Sequence, residues 1–233
     1  MGLSSATAVV FDLDGTLLDT APDLARALNR LRIEKDLPPL PDDTIRASVS
    51  NGARALVALG FNETPGSERF DELRSRLLEL YMQDIASATE LFPGLDALLR
   101  WLDQHNIGWG IATNKPALYT QALLAQLPLP SSPGIVICPD HVTHPKPDPE
   151  SLLLAARHFQ CAPEQLIYLG DHQRDIACGQ ACGAITIACL YGYIEQGDNP
   201  DSWQATHTVS DSQQLLALIQ QLIREKQRVT EPL

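Results

Sequence analysis

The stretch "VVFDLDGTLLDT", residues 9–20, decides the fold. Apolar residues run straight into Asp12 and Asp14, followed by Gly15 and Thr16. Such a run reads as a strand buried on both faces. Ionised carboxylates at its end are costly to hold away from water. Folding alone does not call for two of them there, so something else must offset their charge.

Comparable runs recur as "IGWGIATN" (107–114), "GIVICPD" (134–140), "LIYLGD" (166–171) and "AITIACL" (184–190). Segments 117–127, 149–159 and 173–182 between them carry helical patterns. Apolar strands alternating with helices predict an α/β fold with a parallel sheet covered on both faces. Ligands in such sheets bind beyond the carboxyl ends of the strands.

About a hundred residues separate Asp12 from Thr113, whereas one strand–helix–strand unit takes about 30. The excess is helical in pattern. Thr20, Pro22 and Asp23 read as a helix start, "LARALNRLRIEK" (24–35) continues it, and "LPPLP" (37–41) stops it. Further helical segments are expected at 42–49, 52–59 and 68–86. Residues 17–90 therefore read as a helical cap inserted into a core made of 1–16 and 91–233, with "FPG" (92–94) marking the return. The tail "REKQRVTEPL" reads as frayed.

The formal net charge of −12 disfavours nucleic acid and anionic membrane as partners. No stretch reaches the roughly 20 apolar residues that span a bilayer, and the N-terminal residues do not pattern as a secretory signal. Cysteines at 138, 161, 178, 182 and 189 lack zinc-type spacing and read as small buried hydrophobes in a reducing cytoplasm. A cytoplasmic monomer or homodimer is expected.

Four features fall at predicted strand ends: Asp12 with Asp14, Thr113 with Asn114, Lys146, and Asp171 with Asp175. Carboxylates, a lysine and a hydroxyl suit a hard divalent cation beside a phosphoryl group, since Mg²⁺ takes oxygen ligands. The cation would offset the repulsion between the carboxylates. His141 and His144 sit in a Pro-rich turn and read as turn residues rather than a metal pair.

"DLDGT" (12–16), "TNK" (113–115), "KPDP" (146–149) and "GDHQRD" (170–175) together resemble the haloacid dehalogenase superfamily in its phosphatase branch. The resemblance implies a Rossmann-like parallel-sheet core with an all-helical cap, acting on a small phosphorylated metabolite. It implies Asp12 as nucleophile, forming an aspartyl phosphate, and Asp14 as general acid and then base. Period-two alternation would aim both at one phosphorus, and Thr16 would leave the entrance clear. Thr113 and Asn114 would bind the phosphoryl oxygens, and Lys146 would neutralise phosphoryl and nucleophile charge. Asp12, Asp171 and the backbone carbonyl of Asp14 would ligate Mg²⁺, with Asp175 behind them.

The core motifs are silent on the leaving group, for which Asn51, Gly52 and Arg54 of "SNGARAL" (50–56) are the cap candidates. At the branch level, "FDLDGTLLDTAPDL", "TNKP" and "YGYI" look like the phosphoglycolate phosphatases. "SNGARALVALGF", "ICPDHV" and "YGYIEQGDNPDSW" are more similar to N-acetylmuramic acid 6-phosphate phosphatases. Both substrates carry a carboxylate, which an arginine can bind bidentately. A phosphomutase shares the motifs. A receiver-type phosphate switch should be shorter and lack the insertion, and a dehalogenase lacks the second aspartate.

Overall fold

The computed structural model describes residues 7–230, with side chains through 225. Eight strands and nine α-helices follow one another in the described chain: β1 (Ala8–Phe11), β2 (Leu18–Asp19), α1 (Ala21–Glu34), α2 (Asp42–Arg46), α3 (Gly52–Phe61), α4 (Glu68–Gln83), β3 (Glu90–Leu91), α5 (Leu95–Gln104), β4 (Trp109–Ala112), α6 (Ala117–Leu124), β5 (Ile135–Ile137), α7 (Glu150–His158), β6 (Leu166–Gly170), α8 (Gln173–Cys182), β7 (Ile185–Cys189), β8 (His207–Val209) and α9 (Leu215–Thr230).

Six strands form a parallel sheet in the order β5-β4-β1-β6-β7-β8. The fold is a Rossmann-like α/β core with helices inserted after its first strand. Period-two alternation sorts the side chains. Val9, Phe11, Ile111, Ile167 and Leu169 join one apolar cluster with α5 and α9. Ala8, Val10, Ala112, Leu166 and Tyr168 join another with α7. Burial on both faces explains why these strands read as unbroken apolar runs. In α5, Leu95, Leu98, Leu99 and Leu102 are buried, the i, i+3, i+4, i+7 stripe of a helix lying on a sheet.

The order in which strands are added across the sheet reverses beside β1, which has β4 on one side and β6 on the other. The ends of β1, β4 and β6 therefore stand together, and a ligand crevice belongs there. Helices α1–α4 all lie between β2 and β3, which pair antiparallel through Leu18↔Leu91 and Asp19↔Glu90. The buried Asp23 reinforces this crossing by accepting from the backbone of Ala88 and Thr89 and from the Thr89 hydroxyl at 2.6–3.2 Å. Within the insertion α1 packs on α4, and α3 on α4. The Ser67 hydroxyl accepts from Phe70 N at 3.1 Å and so caps α4.

Some expectations need correction. Thr20 precedes α1 but its side chain does not cap the helix; the hydroxyl donates to Asp14 Oδ1 at 2.6 Å instead. Helix α2 ends at Arg46 rather than 49, and Val49–Asn51 forms a separate turn. The tail is not frayed from 224 onward: α9 runs to Thr230, and residues 231–233 lie outside the described part. Among the described residues, no helix is long and apolar enough to cross a membrane.

Candidate active site

Asp12 follows β1 directly, and its N–H donates to Leu169 O at 2.8 Å, fixing it against β6. Strand β1 ends at Phe11, so Asp14 is aimed by a turn rather than by strand alternation. Gly15 makes that turn at φ +86°, where a Cβ would stand 2.1 Å from Asp171 Oδ2. Glycine is required both by the left-handed backbone and by the approach of Asp171. Thr16 is fully buried rather than at an entrance, with its hydroxyl 3.5 Å from Asp171 Oδ1.

Lys146 is buried and three-coordinate in its hydrogen bonds, to Asp12 Oδ1 at 2.7 Å, Ala112 O at 2.9 Å and Tyr168 Oη at 2.9 Å. It also lies 2.7 Å from Asp175 Oδ1. Burial would depress its pKa, but Asp12 and Asp175 outweigh that and raise it, so it stays a cation. Asn114 holds the Lys146 backbone in both directions, donating to Lys146 O at 3.0 Å and accepting from Lys146 N at 3.1 Å. Its amide thereby places the lysine, and Asn114 also lines the cavity of the site. Thr113, buried at the end of β4, accepts from Lys115 N at 3.1 Å.

Asp175 does two jobs. Its Oδ2 accepts from His172 N at 3.1 Å, closing the first turn of α8, while Oδ1 faces Lys146. Asp171 Oδ2 accepts from Tyr193 N at 2.8 Å and from the Ser50 hydroxyl at 3.1 Å. Asp12, Asp171 and Asp175 each offer an oxygen, all within 4.8 Å of one another. Burial, then neighbouring negative charge, pushes Asp12 up to about 6 and Asp171 up to about 8. Three clustered buried carboxylates, of which only Asp12 and Asp175 contact the Lys146 ammonium, are short of positive charge. An all-oxygen, multiply anionic donor set of this kind fits a divalent cation. His141 Nδ1 accepts from Cys138 N at 3.0 Å, so this ring serves the turn.

A cavity of about 300 Å³ opens over these groups. Asp12, Asp14, Thr113 and Lys146 line it from the sheet side. Leu24, Val49, Leu78 and Tyr81 line it from the helical insertion, together with Asn51, Gly52, Arg54 and Arg74. Asn51 also donates to Glu195 and accepts from Arg174 Nη1 at 3.3 Å, tying the insertion to the core. Gly52 sits at φ +70° with open space around its Cα. Arg54 is exposed at the rim.

Sequence reasoning passed over Lys115, although it lies inside "TNK". Its Nζ contacts Asp14 Oδ1 and Oδ2 at 3.0 and 3.2 Å and stands 4.8 Å from the Tyr81 ring centroid. Burial opposes its charge, but Asp14 dominates and raises its pKa. Lys115 and Thr20 thus orient Asp14. Ser50, Tyr193 and Arg74 were passed over too. A cation beside a strand-end hydroxyl was the available signal for Lys115; the others are brought in only by tertiary packing.

Residues 9–189 match the family model for haloacid dehalogenase-like hydrolases. The chain belongs to this family, on its phosphomonoester-hydrolase side. It is 42% identical over 212 residues to an N-acetylmuramic acid 6-phosphate phosphatase of Pseudomonas putida, covering 91% of this chain and 95% of the other. A phosphoglycolate phosphatase of Xanthomonas campestris pv. campestris is 38% identical over 208 residues, covering 89% and 94%. In fold, the chain is similar to a crystal structure of a predicted phosphoglycolate phosphatase from Haemophilus somnus, with a TM-score of 0.81 at 21% identity over 94% of this chain and 100% of the other.

Proposed function

We propose that this protein hydrolyses N-acetylmuramic acid 6-phosphate to the free amino sugar and inorganic phosphate, a step of cell-wall recycling in the cytoplasm. The observation that carries the reading is the shared cavity, which brings Asp12, Asp14, Thr113 and Lys146 against one enclosed space. Residues 17–90 act as the cap that closes it.

Asp12 attacks phosphorus, forming an Asp12–phosphate bond as the bond to the sugar oxygen breaks. Asp14 gives its proton to the departing alkoxide, then takes one from the water that attacks the same phosphorus. That second attack returns Asp12 as a carboxylate and releases phosphate. Lys146 and Thr113 hold the phosphoryl oxygens, and Asn114 keeps Lys146 in place. Asp12 and Asp171, with the Asp14 carbonyl, would hold Mg²⁺ and Asp175 would support them. When bound, the cation supplies charge neutralisation at the phosphoryl group.

The choice of substrate is supported by the P. putida relative and by size. A cavity of about 300 Å³ lies at the lower end of the roughly 300–1,000 Å³ that encloses a drug-sized ligand. A phosphorylated amino sugar fills such a space, whereas a two-carbon acid leaves most of it to water. The second reading, 2-phosphoglycolate, is favoured by the X. campestris relative. Side-by-side kcat/KM on the two compounds decides. The amino-sugar phosphate should be preferred, and preference for 2-phosphoglycolate by orders of magnitude would overturn the assignment. Arg54→Ala should weaken the preferred substrate if the rim cation reads it.

A further inference from the structure

Arg74, Leu78 and Tyr81 occupy α4 at i, i+4 and i+7, the spacing of one helix face, and all three line the cavity. Among the described residues, Arg74 Nε is buried with no hydrogen-bond partner; the buried Tyr81 hydroxyl makes no well-formed hydrogen bond either, although the Lys115 ammonium interacts with it. Apart from the exposed Arg54, other arginines of the insertion are engaged. Arg26 pairs with Asp23, Arg30 with Asp84, Arg46 with Asp19 and Arg76 with Glu34. Folded proteins rarely leave a buried donor unpaired. Here the orphaned guanidinium edge and the Tyr81 hydroxyl stand on the same face and in the same cavity.

The missing partner is not the reacting phosphoryl group, which Asp12 and Thr113 confront from the strand ends and Lys146 from the loop between β5 and α7. It must belong to the remainder of the substrate. A guanidinium offers its Nε–Nη edge as a fork matched to a carboxylate. A phenol can donate to or accept from a hydroxyl or an amide. Leu78 lies between them as an apolar spacer.

We propose that Arg74 is a specificity-determining residue that binds a carboxylate on the leaving group, with the Tyr81 hydroxyl bonding a neighbouring hydroxyl or amide. The inference rests on the reading of the site as a phosphomonoesterase with a carboxylate-bearing substrate. It makes α4, rather than the rim around Arg54 alone, the reader of that carboxylate.

Two matched pairs test it. N-acetylmuramic acid 6-phosphate and N-acetylglucosamine 6-phosphate differ by the 3-O-lactyl group that carries the carboxylate, and 2-phosphoglycolate and ethyl phosphate differ by a carboxylate in place of a methyl group. The readout is the ratio of kcat/KM within each pair. Wild-type protein should favour the carboxylate member of the pair it turns over faster. Arg74→Gln should collapse that ratio about ten- to hundredfold, the range for losing a charge-assisted hydrogen bond. Arg74→Lys, which keeps the charge and loses the fork, should recover part of it; should Arg74→Gln not fold, partial collapse in Arg74→Lys carries the test. A wild-type ratio near one in both pairs overturns the proposal. So does an unchanged ratio in the variant, including equal loss on both members, which marks a structural role. Wild-type preference for the second pair overturns the amino-sugar reading alone, and the Arg74 ratio within that pair still decides this inference.

Discussion

Lys146 Nζ lies 2.7 Å from Asp12 Oδ1, and both side chains are almost wholly withdrawn from solvent. Asp175 stands at the same distance on another side of the ammonium. Removing one partner of a buried ion pair costs about 3–5 kcal/mol, because the other charge is left uncompensated. Lys146→Met should therefore destabilise the metal-free protein by about that amount at pH 8. At pH 5 the loss should be smaller, since carboxylates without their cation can take up protons. Denaturant unfolding at the two pH values checks this; equal losses would contradict it.

The carboxylates predict a coupled dependence on pH and metal. Asp12 near 6 and Asp171 near 8 both lie above the ordinary 3.8. Groups whose pKa is raised on folding favour the folded state when neutral. Stability of the metal-free protein should thus fall as pH rises from about 4 through 8. A divalent cation needs the ionised forms, so its stabilising effect should grow over the same window. Melting temperatures with Mg²⁺ and with chelator, at about pH 5.5 and pH 8.5, measure this. The Mg²⁺ increment should be larger at the higher pH, and an increment independent of pH would remove Asp12 and Asp171 from the metal site.

Asp14 is oriented by Lys115 and Thr20, and on the proposed mechanism this separates proton transfer from phosphoryl binding. An aryl phosphate has a leaving group that needs no proton, whereas an alkyl phosphate needs one. Asp14→Asn should therefore slow an alkyl phosphate by about 10²–10⁴-fold and slow formation of the phosphoenzyme from p-nitrophenyl phosphate far less. Lys115→Ala should show the same bias with a smaller amplitude. Burst kinetics on both substrates provide the comparison. A uniform loss would mean that Lys115 acts through binding instead.

Asp23 tests how the insertion is joined to the core. Its carboxylate holds three donors from Ala88 and Thr89, and Asp23→Ala would leave them without a partner. Two of these donors, both on Thr89, are buried; with about 1–3 kcal/mol for each buried group left unsatisfied, a loss of about 2–6 kcal/mol is expected in equilibrium unfolding. A loss under 1 kcal/mol would show that water replaces the carboxylate freely.

Much of this architecture is legible along the chain because parallel strands buried on both faces leave uninterrupted apolar runs. Asp12, Thr113 and Asp171 could be found because each ends such a run, and Lys146 because it precedes a proline within an ordered motif. Asp14 could be assigned to the site but not its means of placement, since Gly15 and the approach of Asp171 replace strand alternation. Thr20 looked like a helix cap because residue type and position are the same whether its hydroxyl faces the helix or Asp14. Arg74 and Tyr81 carry no local signal at all. On α4 they look like members of an ordinary amphipathic helix, and only the packing of the insertion over the strand ends turns them towards the cavity.

The central claim is that the phosphoryl group passes through Asp12, and trapping it there is the most direct test. Asp14→Asn protein mixed with p-nitrophenyl phosphate and Mg²⁺ should accumulate phosphoenzyme, because the water that clears it has lost its base. Acid quenching, borohydride reduction and peptide mass spectrometry should then find homoserine at position 12, and substrate-free protein should not. Homoserine at position 171 or 175, or phosphate release with no modified carboxylate under single-turnover conditions, would contradict the account.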